Sequence, residues 1–185
     1  GVAGNFDRAE RLAFEYLGEE AAIFLEDDLW LGPYYLASLN TLLGFAVANP
    51  RIGYVAAYGM HQTALEGRPA DAPMLGPLGP HWGFGLTRRQ WLRQRPFVEA
   101  YLRIALAANY RSRDHDRIVQ LFHGWGFHAP GTTQDVAKSF ACVLTGAARI
   151  NTVACYGKYI GAEGLHSNAA IYDAEGFGQT DVVLQ

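Results

Sequence analysis

The sequence predicts an α/β fold, with a mixed, mostly parallel sheet flanked by helices in one domain over residues 1–185. A short apolar run, "AAIFL" at 21–25, is suited to a strand buried on both faces. An apolar helical pattern follows it, and then a second run, "IGYVAAY" at 52–58. Because a strand–helix–strand succession is the usual unit of parallel sheets, these observations predict helices layered on a sheet.

The first half of the chain contains two helical patterns and a long loop. Residues 6–17 repeat apolar side chains at helical spacing, and Gly18 ends the pattern. Residues 33–49 form the second pattern, which begins at a proline. Residues 59–80 contain several Gly and Pro and no period. They predict a loop of the kind that covers or shapes a binding site.

The second half continues the alternation of strands and helices. "HWGFGLT" at 81–87 predicts a strand that contains two glycines. Amphipathic patterns bounded by Gly or Pro predict the helices that follow, and a final strand precedes a Gly-rich, irregular tail. The predicted helices cover residues 88–95, 96–110, 113–126 and 132–147, and the final strand covers 149–156.

The amino-acid composition narrows the classes of protein to which this chain can belong. Half of the residues are hydrophobic and the net charge is −3, so the chain can bury one core and shows no general affinity for nucleic acid. No apolar run reaches the ~18 residues of a membrane span, and the first residues lack the regions of a signal peptide. The missing initiator Met indicates a fragment. Cys142 and Cys155 form no CxxC pair, which predicts two small buried hydrophobes.

An acidic triplet is the first candidate site. "IFLEDDLW" at 23–30 places three adjacent carboxylates directly after an apolar strand. Carboxylate oxygens are hard ligands that suit Mg²⁺ or Mn²⁺, and ligands collect at the carboxyl ends of strands in parallel sheets. Acidic residues also occur at ordinary helix N-termini, where they complement the helix dipole. Spacing alone leaves both interpretations open.

Three further places carry chemically useful residues. His166 lies in the glycine-rich stretch "GAEGLHSN", where it is either a metal ligand or a structural or exposed histidine. Asp135 falls in the first turn of a predicted helix, as a general base or as a capping residue. Trp82 and Phe84 alternate with glycines, as a platform for a sugar ring or as core aromatics.

Taken in order, these pieces resemble a known superfamily. A strand ending in "EDD", a helix, a strand, a variable loop, "WGFGL", "QD" on a helix and "YIGAEGLHSN" resemble the C-terminal part of the catalytic domain of GT-A fold glycosyltransferases. The similarity covers residues 20–168 and is closest to inverting, family-2-like members. It implies a Rossmann-related GT-A-like fold and transfer of a sugar from a nucleotide-diphosphate donor to an acceptor hydroxyl with inversion. It also implies a Mn²⁺ or Mg²⁺ cofactor.

The same resemblance implies a role for each candidate residue. Asp28 and His166 would hold the metal, and Asp135 would be the catalytic base. Gln134 stands where a Glu is common beside that base. A larger set, which includes Asp28 again, would bind the donor or shape its pocket. These residues are Glu26, Asp27, Asp28, Trp82, Gly83, Phe84 and Gly85.

The resemblance also has a departure that leaves alternatives open. Only about twenty-five residues precede "EDD", so the N-terminal nucleotide-binding strands are apparently truncated. A further segment or a second copy of the chain would then complete the fold. The alternatives are a noncatalytic GT-A-like domain that binds sugar or acts as a scaffold, and a metal-dependent phosphohydrolase. The hydrolase lacks its usual dense pattern, because His115, His123 and His128 show no HxH or HxxxH spacing.

The source is inferred from composition. Thirteen arginines stand against two lysines, which indicates a GC-rich bacterial genome and a cytoplasmic protein. Regions outside this chain could attach it to a membrane.

Overall fold

The computed structural model describes residues 1–60, 74–128, 131–163 and 168–184, which form a mixed α/β structure. The helices in these ranges are Val2–Arg11 (α1), Tyr35–Ala48 (α2), Arg88–Ala105 (α3), His115–Gly124 (α4), Gln134–Leu144 (α5) and Ala169–Ala174 (α6). The strands are Ala21–Leu25 (β1), Leu29–Leu31 (β2), Ile52–Ala56 (β3), Leu75–Pro77 (β4), Gly83–Thr87 (β5), Ala148–Thr152 (β6) and Gly157–Tyr159 (β7).

The main sheet has the strand order β1-β5-β3-β6-β4, and a separate ribbon pairs β2 with β7. Among the described strands, the pair β3–β6 is parallel and every other pairing is antiparallel. A mixed sheet with helices is therefore confirmed, but the prediction of a mostly parallel sheet is wrong. Strands β1 and β3 do run in the same direction, as the strand–helix–strand succession predicts. Strand β5 lies between them and runs the opposite way.

Close packing explains how β5 fits between β1 and β3. A Cβ atom on Gly85 would lie 2.8 Å from Val55 Cγ2 and 3.0 Å from Leu43 Cδ1. A Cβ atom on Gly83 would overlap the hydroxyl of Tyr35. The absence of side chains at these two positions lets α2 pack directly on β5. The strand direction was not predictable from the apolar run itself, because such a run has no direction.

Helix α3 is continuous, whereas the sequence predicts a break at Pro96. The helix runs through this proline from Arg88 to Ala105, and the side chain of Thr87 caps its start by accepting from the backbone N–H of Gln90. A proline removes the hydrogen bond to the carbonyl four residues earlier. That carbonyl belongs to Leu92, a residue that is 55% exposed, so water can bind it. Packing of α3 against α1, α4 and α5 holds the helix together.

Several other boundaries differ from the predictions. Helix α1 begins earlier than predicted, and a π-helical turn at Leu12–Tyr16 follows it. Strand β4 lies within the predicted loop 59–80, of which residues 61–73 fall outside the described residues. The final strand is shorter than predicted, and the tail contains β7 and α6. The helices predicted at 33–49, 113–126 and 132–147 are confirmed as α2, α4 and α5, each a few residues shorter.

Two groups of buried apolar side chains stabilise the fold. The larger group covers both faces of the sheet: Leu39 packs from α2 on one face, and Phe24 and Phe84 contact Phe14 and Phe6 on the other. The smaller group joins α3, α4 and α5. Both cysteines are free and buried, as predicted for small hydrophobes.

Helix α1 is attached to the rest of the molecule through charged side chains. Lys138 Nζ on α5 donates to Glu10 Oε1 at 2.6 Å, and both side chains are almost completely buried. Nearby, the guanidinium of Arg95 contacts Asp7 Oδ1 at 2.6 Å. The ammonium of Lys138 also lies over the rings of Phe6 and Phe84 at 4.7 and 4.8 Å. The buried pair therefore joins α1 and α5 beside strand β5.

Candidate functional site

The acidic triplet lies in the turn between β1 and β2. Glu26 directly follows β1, and Asp27 and Asp28 form the turn itself. The backbone N–H of Glu26 donates to the carbonyl of Trp82 at 2.8 Å, and the carbonyl of Asp28 accepts from Ile160 N–H at 2.8 Å. The predicted strand that ends in carboxylates is thus confirmed. The turn is held by residues from two distant parts of the chain.

The carboxylate of Asp28 points into a confined position. Its Oδ1 atom is buried and has no hydrogen-bond partner among the described residues. A Cβ atom on Gly161 would lie 2.7 Å from Asp28 Oδ2, so the chain after β7 approaches this carboxylate closely. A buried carboxylate oxygen without a partner is costly, and such atoms usually have a ligand or a function.

The environment of Glu26 shows that the acidic residues converge. Burial, and after it the charges of Asp28, Asp135 and Asp27, raise the pKa of Glu26 to about 8. Lys138 acts in the opposite direction. A carboxyl group feels such effects only from charges that are near it. The fold therefore brings Asp135, from α5, to the triplet at the end of β1.

Asp135 lies in the first turn of α5, whose start is capped by the side chain of Thr133. Its Oδ1 atom lies 3.4 Å from His81 Nδ1, and its side chain is 35% exposed. Burial works to raise the pKa of Asp135, but contacts with His81 and the charge of Lys138 outweigh it and lower the pKa below its ordinary value. Asp135 is therefore ionised at neutral pH, as a general base requires.

Sequence reasoning missed His81 and Lys138. His81 precedes an apolar strand and Lys138 lies in an amphipathic helix, and neither position forms a motif with Asp135 in the sequence. Lys138 lies one turn after Asp135 on α5, which was the available signal. Nothing in the sequence indicates that the side chain of His81 meets Asp135.

The "WGFG" segment mainly contributes packing. Trp82 is partly buried and stacks on Tyr159 with ring centroids 4.5 Å apart, and Tyr58 and Phe177 contact its ring as well. Phe84 is 0% exposed and lies in the core. Gly83 and Gly85 face the packed α2 side, as described above. Only Trp82 in this segment retains partial exposure beside the acidic turn.

Three further histidines in the described part of the chain have contacts of their own. His166 lies outside the described residues, so its predicted metal-binding role stays a prediction. His115 Nδ1 lies 2.6 Å from Thr132 Oγ1, and the rings of His123 and His128 meet 4.8 Å apart. Among the described residues, no three His, Cys, Asp or Glu side chains form a ready-made metal cluster.

The charges around the triplet nevertheless fit a divalent cation. Glu26, Asp28 and Asp135 are near each other, and Asp28 Oδ1 has no partner in the described structure. The ammonium group of Lys138, whose charge acts on these carboxylates, is already paired with Glu10. A hard cation bound at Asp28 would satisfy this oxygen and offset the repulsion among the neighbouring acids.

Comparison with models of known protein families found no match, and comparison with curated proteins found no significant similarity. None of the described helices is both long enough and apolar enough to cross a bilayer.

Proposed function

We propose that this chain is the catalytic part of a metal-dependent glycosyltransferase, which moves a sugar from a nucleotide-diphosphate donor to an acceptor hydroxyl with inversion. The observation that carries the proposal is that Asp135 comes from a distant part of the sequence and yet lies close enough to Glu26, beside Asp27 and Asp28, for its charge to raise the pKa of Glu26. An ionised base next to a group of metal-seeking carboxylates is the arrangement that such a transfer needs. The resemblance to GT-A enzymes adds the reaction class.

Each residue has a distinct part in the proposed reaction. Asp28, with His166, would hold Mn²⁺ or Mg²⁺, which as a Lewis acid neutralises charge on the diphosphate leaving group. Glu26 and Asp27 face the donor from the same turn. Asp135 accepts the proton of the acceptor hydroxyl as the oxygen attacks the anomeric carbon from the opposite face. One displacement then gives inversion.

Gln134 does not compete with Asp135 for this role. The Gln134 side chain is 9% exposed and lines a small cavity with Glu10 and Lys138, on the side of α5 that faces α1. The substitution of Gln for a common Glu therefore leaves Asp135 as the carboxylate that faces the triplet.

The edge of the sheet at strand β1 supports the proposal that a further segment or a second copy of the chain completes the fold. Among the described strands, β1 pairs with β5 alone, so its other edge has no neighbouring strand. The nearby residues Leu17 and Leu25 are 65% and 42% exposed. Exposed strand edges beside apolar side chains favour pairing with a further strand. A further segment or a second copy that completes the nucleotide-binding sheet is part of the proposal.

Variants of the two aspartates test the function. With a panel of UDP- and GDP-sugars and Mn²⁺, wild type should release nucleotide diphosphate through transfer or slow donor hydrolysis. Asp28→Ala and Asp135→Ala should each lower this rate by at least about 100-fold. Only Asp28→Ala should weaken metal-dependent donor binding, because Asp135 acts on the acceptor.

The exposed acid Asp116 on α4 provides the control, and Asp116→Ala should behave as wild type. Equal activity in Asp28→Ala or Asp135→Ala would remove that residue from the mechanism. Metal-dependent donor binding without any turnover in wild type would favour the noncatalytic alternative.

A further inference from the structure

His81 is a completely buried histidine that packing alone does not explain. Its side chain is 0% exposed and its ring packs edge-on against Tyr54 and Phe84, with centroids 4.7 and 5.4 Å away. An apolar side chain of similar size would fill this position without polar atoms. Both ring nitrogens of His81 lack a well-formed hydrogen bond among the described residues. Burying polar atoms without partners destabilises a fold, so the histidine calls for a functional reason.

One carboxylate lies within reach of this ring. His81 Nδ1 lies 3.4 Å from Asp135 Oδ1, which is longer than the ~2.7–3.2 Å of an ordinary hydrogen bond. Contacts between catalytic groups are often long in the free protein and shorten when substrate binds. The ring itself has little freedom to move, because Tyr54 and Phe84 hold two of its sides. His81 therefore offers Asp135 a donor in a fixed position.

We propose that His81 is a positioning residue for Asp135: its Nδ1–H donates to Asp135 Oδ1 and leaves Oδ2 available for the acceptor hydroxyl. This inference rests on the proposed function, in which Asp135 is the base. A carboxylate held by one oxygen presents the other in a defined direction, which is what an efficient proton transfer needs.

The surroundings favour a neutral histidine and a charged aspartate. Burial lowers the pKa of His81, and the charges of Lys138 and Arg149 lower it further, while Asp135 acts to raise it. The titratable groups that act on Asp135 or feel its charge are Lys138 on the same helix, and Glu26, Tyr58 and Tyr101 on neighbouring elements. His81 is thus a hydrogen-bond donor that does not itself carry the positive charge.

The proton balance of the step follows from this arrangement. The acceptor O–H bond breaks as its oxygen bonds to the anomeric carbon, and the proton moves to Asp135 Oδ2. The bond from the anomeric carbon to the diphosphate breaks at the same time, and its electron pair leaves with the diphosphate. His81 keeps its single proton throughout. Asp135 returns its proton to water, which reaches its partly exposed side chain.

Two variants of His81 separate the effect of its hydrogen bond to Asp135 from the effect of its packing. His81→Leu fills the site but has no donor, and His81→Asn carries an amide N–H near the position of Nδ1. In His81→Leu we expect the pKa of Asp135 to rise, and the acid limb of the kcat/KM profile to move to higher pH with it. We expect kcat to fall at least about tenfold with KM nearly unchanged, since only the base is affected. His81→Asn should restore most of the wild-type pKa of Asp135 and most of the wild-type kcat.

A spectroscopic measurement on the wild-type chain keeps the test independent of variant folding and of turnover. Nitrogen-15 NMR of labelled histidine should show His81 at neutral pH as the neutral tautomer protonated on Nδ1. Carbon-13 NMR of the Asp135 carboxyl, assigned with Asp135→Asn, gives its pKa directly. A tautomer protonated on Nε2, or the same Asp135 pKa in wild type and His81→Leu, would overturn the proposal.

Failure of the glycosyltransferase assignment and failure of the positioning role of His81 would give different results. If the NMR results hold but no donor is consumed, the contact between His81 and Asp135 stands and the glycosyltransferase assignment fails. If transfer occurs but His81→Leu leaves the kcat profile unchanged, the assignment stands and the positioning role fails.

Discussion

At the scale of single residues, Glu26 is the carboxyl group that responds most to its surroundings. Its pKa is raised from the ordinary 4.5 to about 8 by burial, and then by the charges of Asp28, Asp135 and Asp27. Glu26 therefore binds its proton more tightly in the folded chain than in the unfolded chain. The free energy of unfolding must fall as pH rises from about 4.5 toward 8, because the unfolded chain has already released this proton.

This shift predicts a pH-dependent effect of Glu26→Gln. Glutamine mimics the protonated acid, so the variant should gain stability over wild type as pH rises from about 5 to about 8. The gain should appear as a few degrees of Tm, measured by calorimetry in EDTA. The exposed Glu19, changed to Gln, provides the control and should show no such trend. A Tm difference that is the same at both pH values would contradict the prediction.

The residue scale also shows what sequence reasoning can find. The acidic triplet and Asp135 were predictable, because carboxylates after an apolar strand or at a helix start are visible in the pattern of the sequence. The contact of His81 with Asp135 was not predictable, because it depends on how β5 and α5 are placed relative to each other. The resemblance predicts Phe84 in the donor pocket, whereas its side chain is fully buried in the core.

At the scale of elements, the buried pair of Lys138 and Glu10 holds α1 against α5. Both side chains are at most 3% exposed, so neither ion can be solvated if its partner is removed. Breaking a buried ion pair from one side typically costs about 3–5 kcal/mol, because an uncompensated charge remains. Replacing both partners by apolar residues of similar size often costs little.

These properties predict a specific pattern of stabilities. Lys138→Met should lower the free energy of unfolding by about 3–5 kcal/mol, measured by urea denaturation. The double variant Glu10→Met, Lys138→Met should recover most of that loss. The variant Arg103→Met, at a basic residue in the last turn of α3, provides a control for the loss of a positive charge elsewhere. If the double variant is as unstable as Lys138→Met, or if Lys138→Met costs less than about 1 kcal/mol, the pair does not hold the two helices together.

Element type was more predictable than element pairing. The helical patterns that became α2, α4 and α5 have clear boundaries, so their positions were confirmed within a few residues. The continuity of α3 through Pro96 was not predictable, since tertiary packing there outweighs a local breaking signal. The antiparallel direction of β5 depends on contacts of Gly83 and Gly85 with α2, which no local pattern encodes.

At the scale of the whole molecule, the order of the sheet explains the site. Strands β1 and β5 pair along their full length, so the end of β1 lies beside the start of β5. That pairing places the acidic turn next to Trp82 and His81, and α5 brings Asp135 to the same place. The site is thus assembled from three segments that are far apart in the chain. A change in the packing of the sheet would therefore displace all three segments together.

The most direct test of the central claim is calorimetric titration of UDP and GDP into the chain, with Mn²⁺ or with EDTA, beside the Asp28→Ala and Asp116→Ala variants. We expect one nucleotide to bind only when Mn²⁺ is present, and binding to be lost in Asp28→Ala but kept in Asp116→Ala. Binding that is equal with and without metal, or equal in Asp28→Ala and wild type, would contradict a metal-dependent donor site at the acidic turn. The absence of binding under every condition would mean that this chain alone does not form a working donor site.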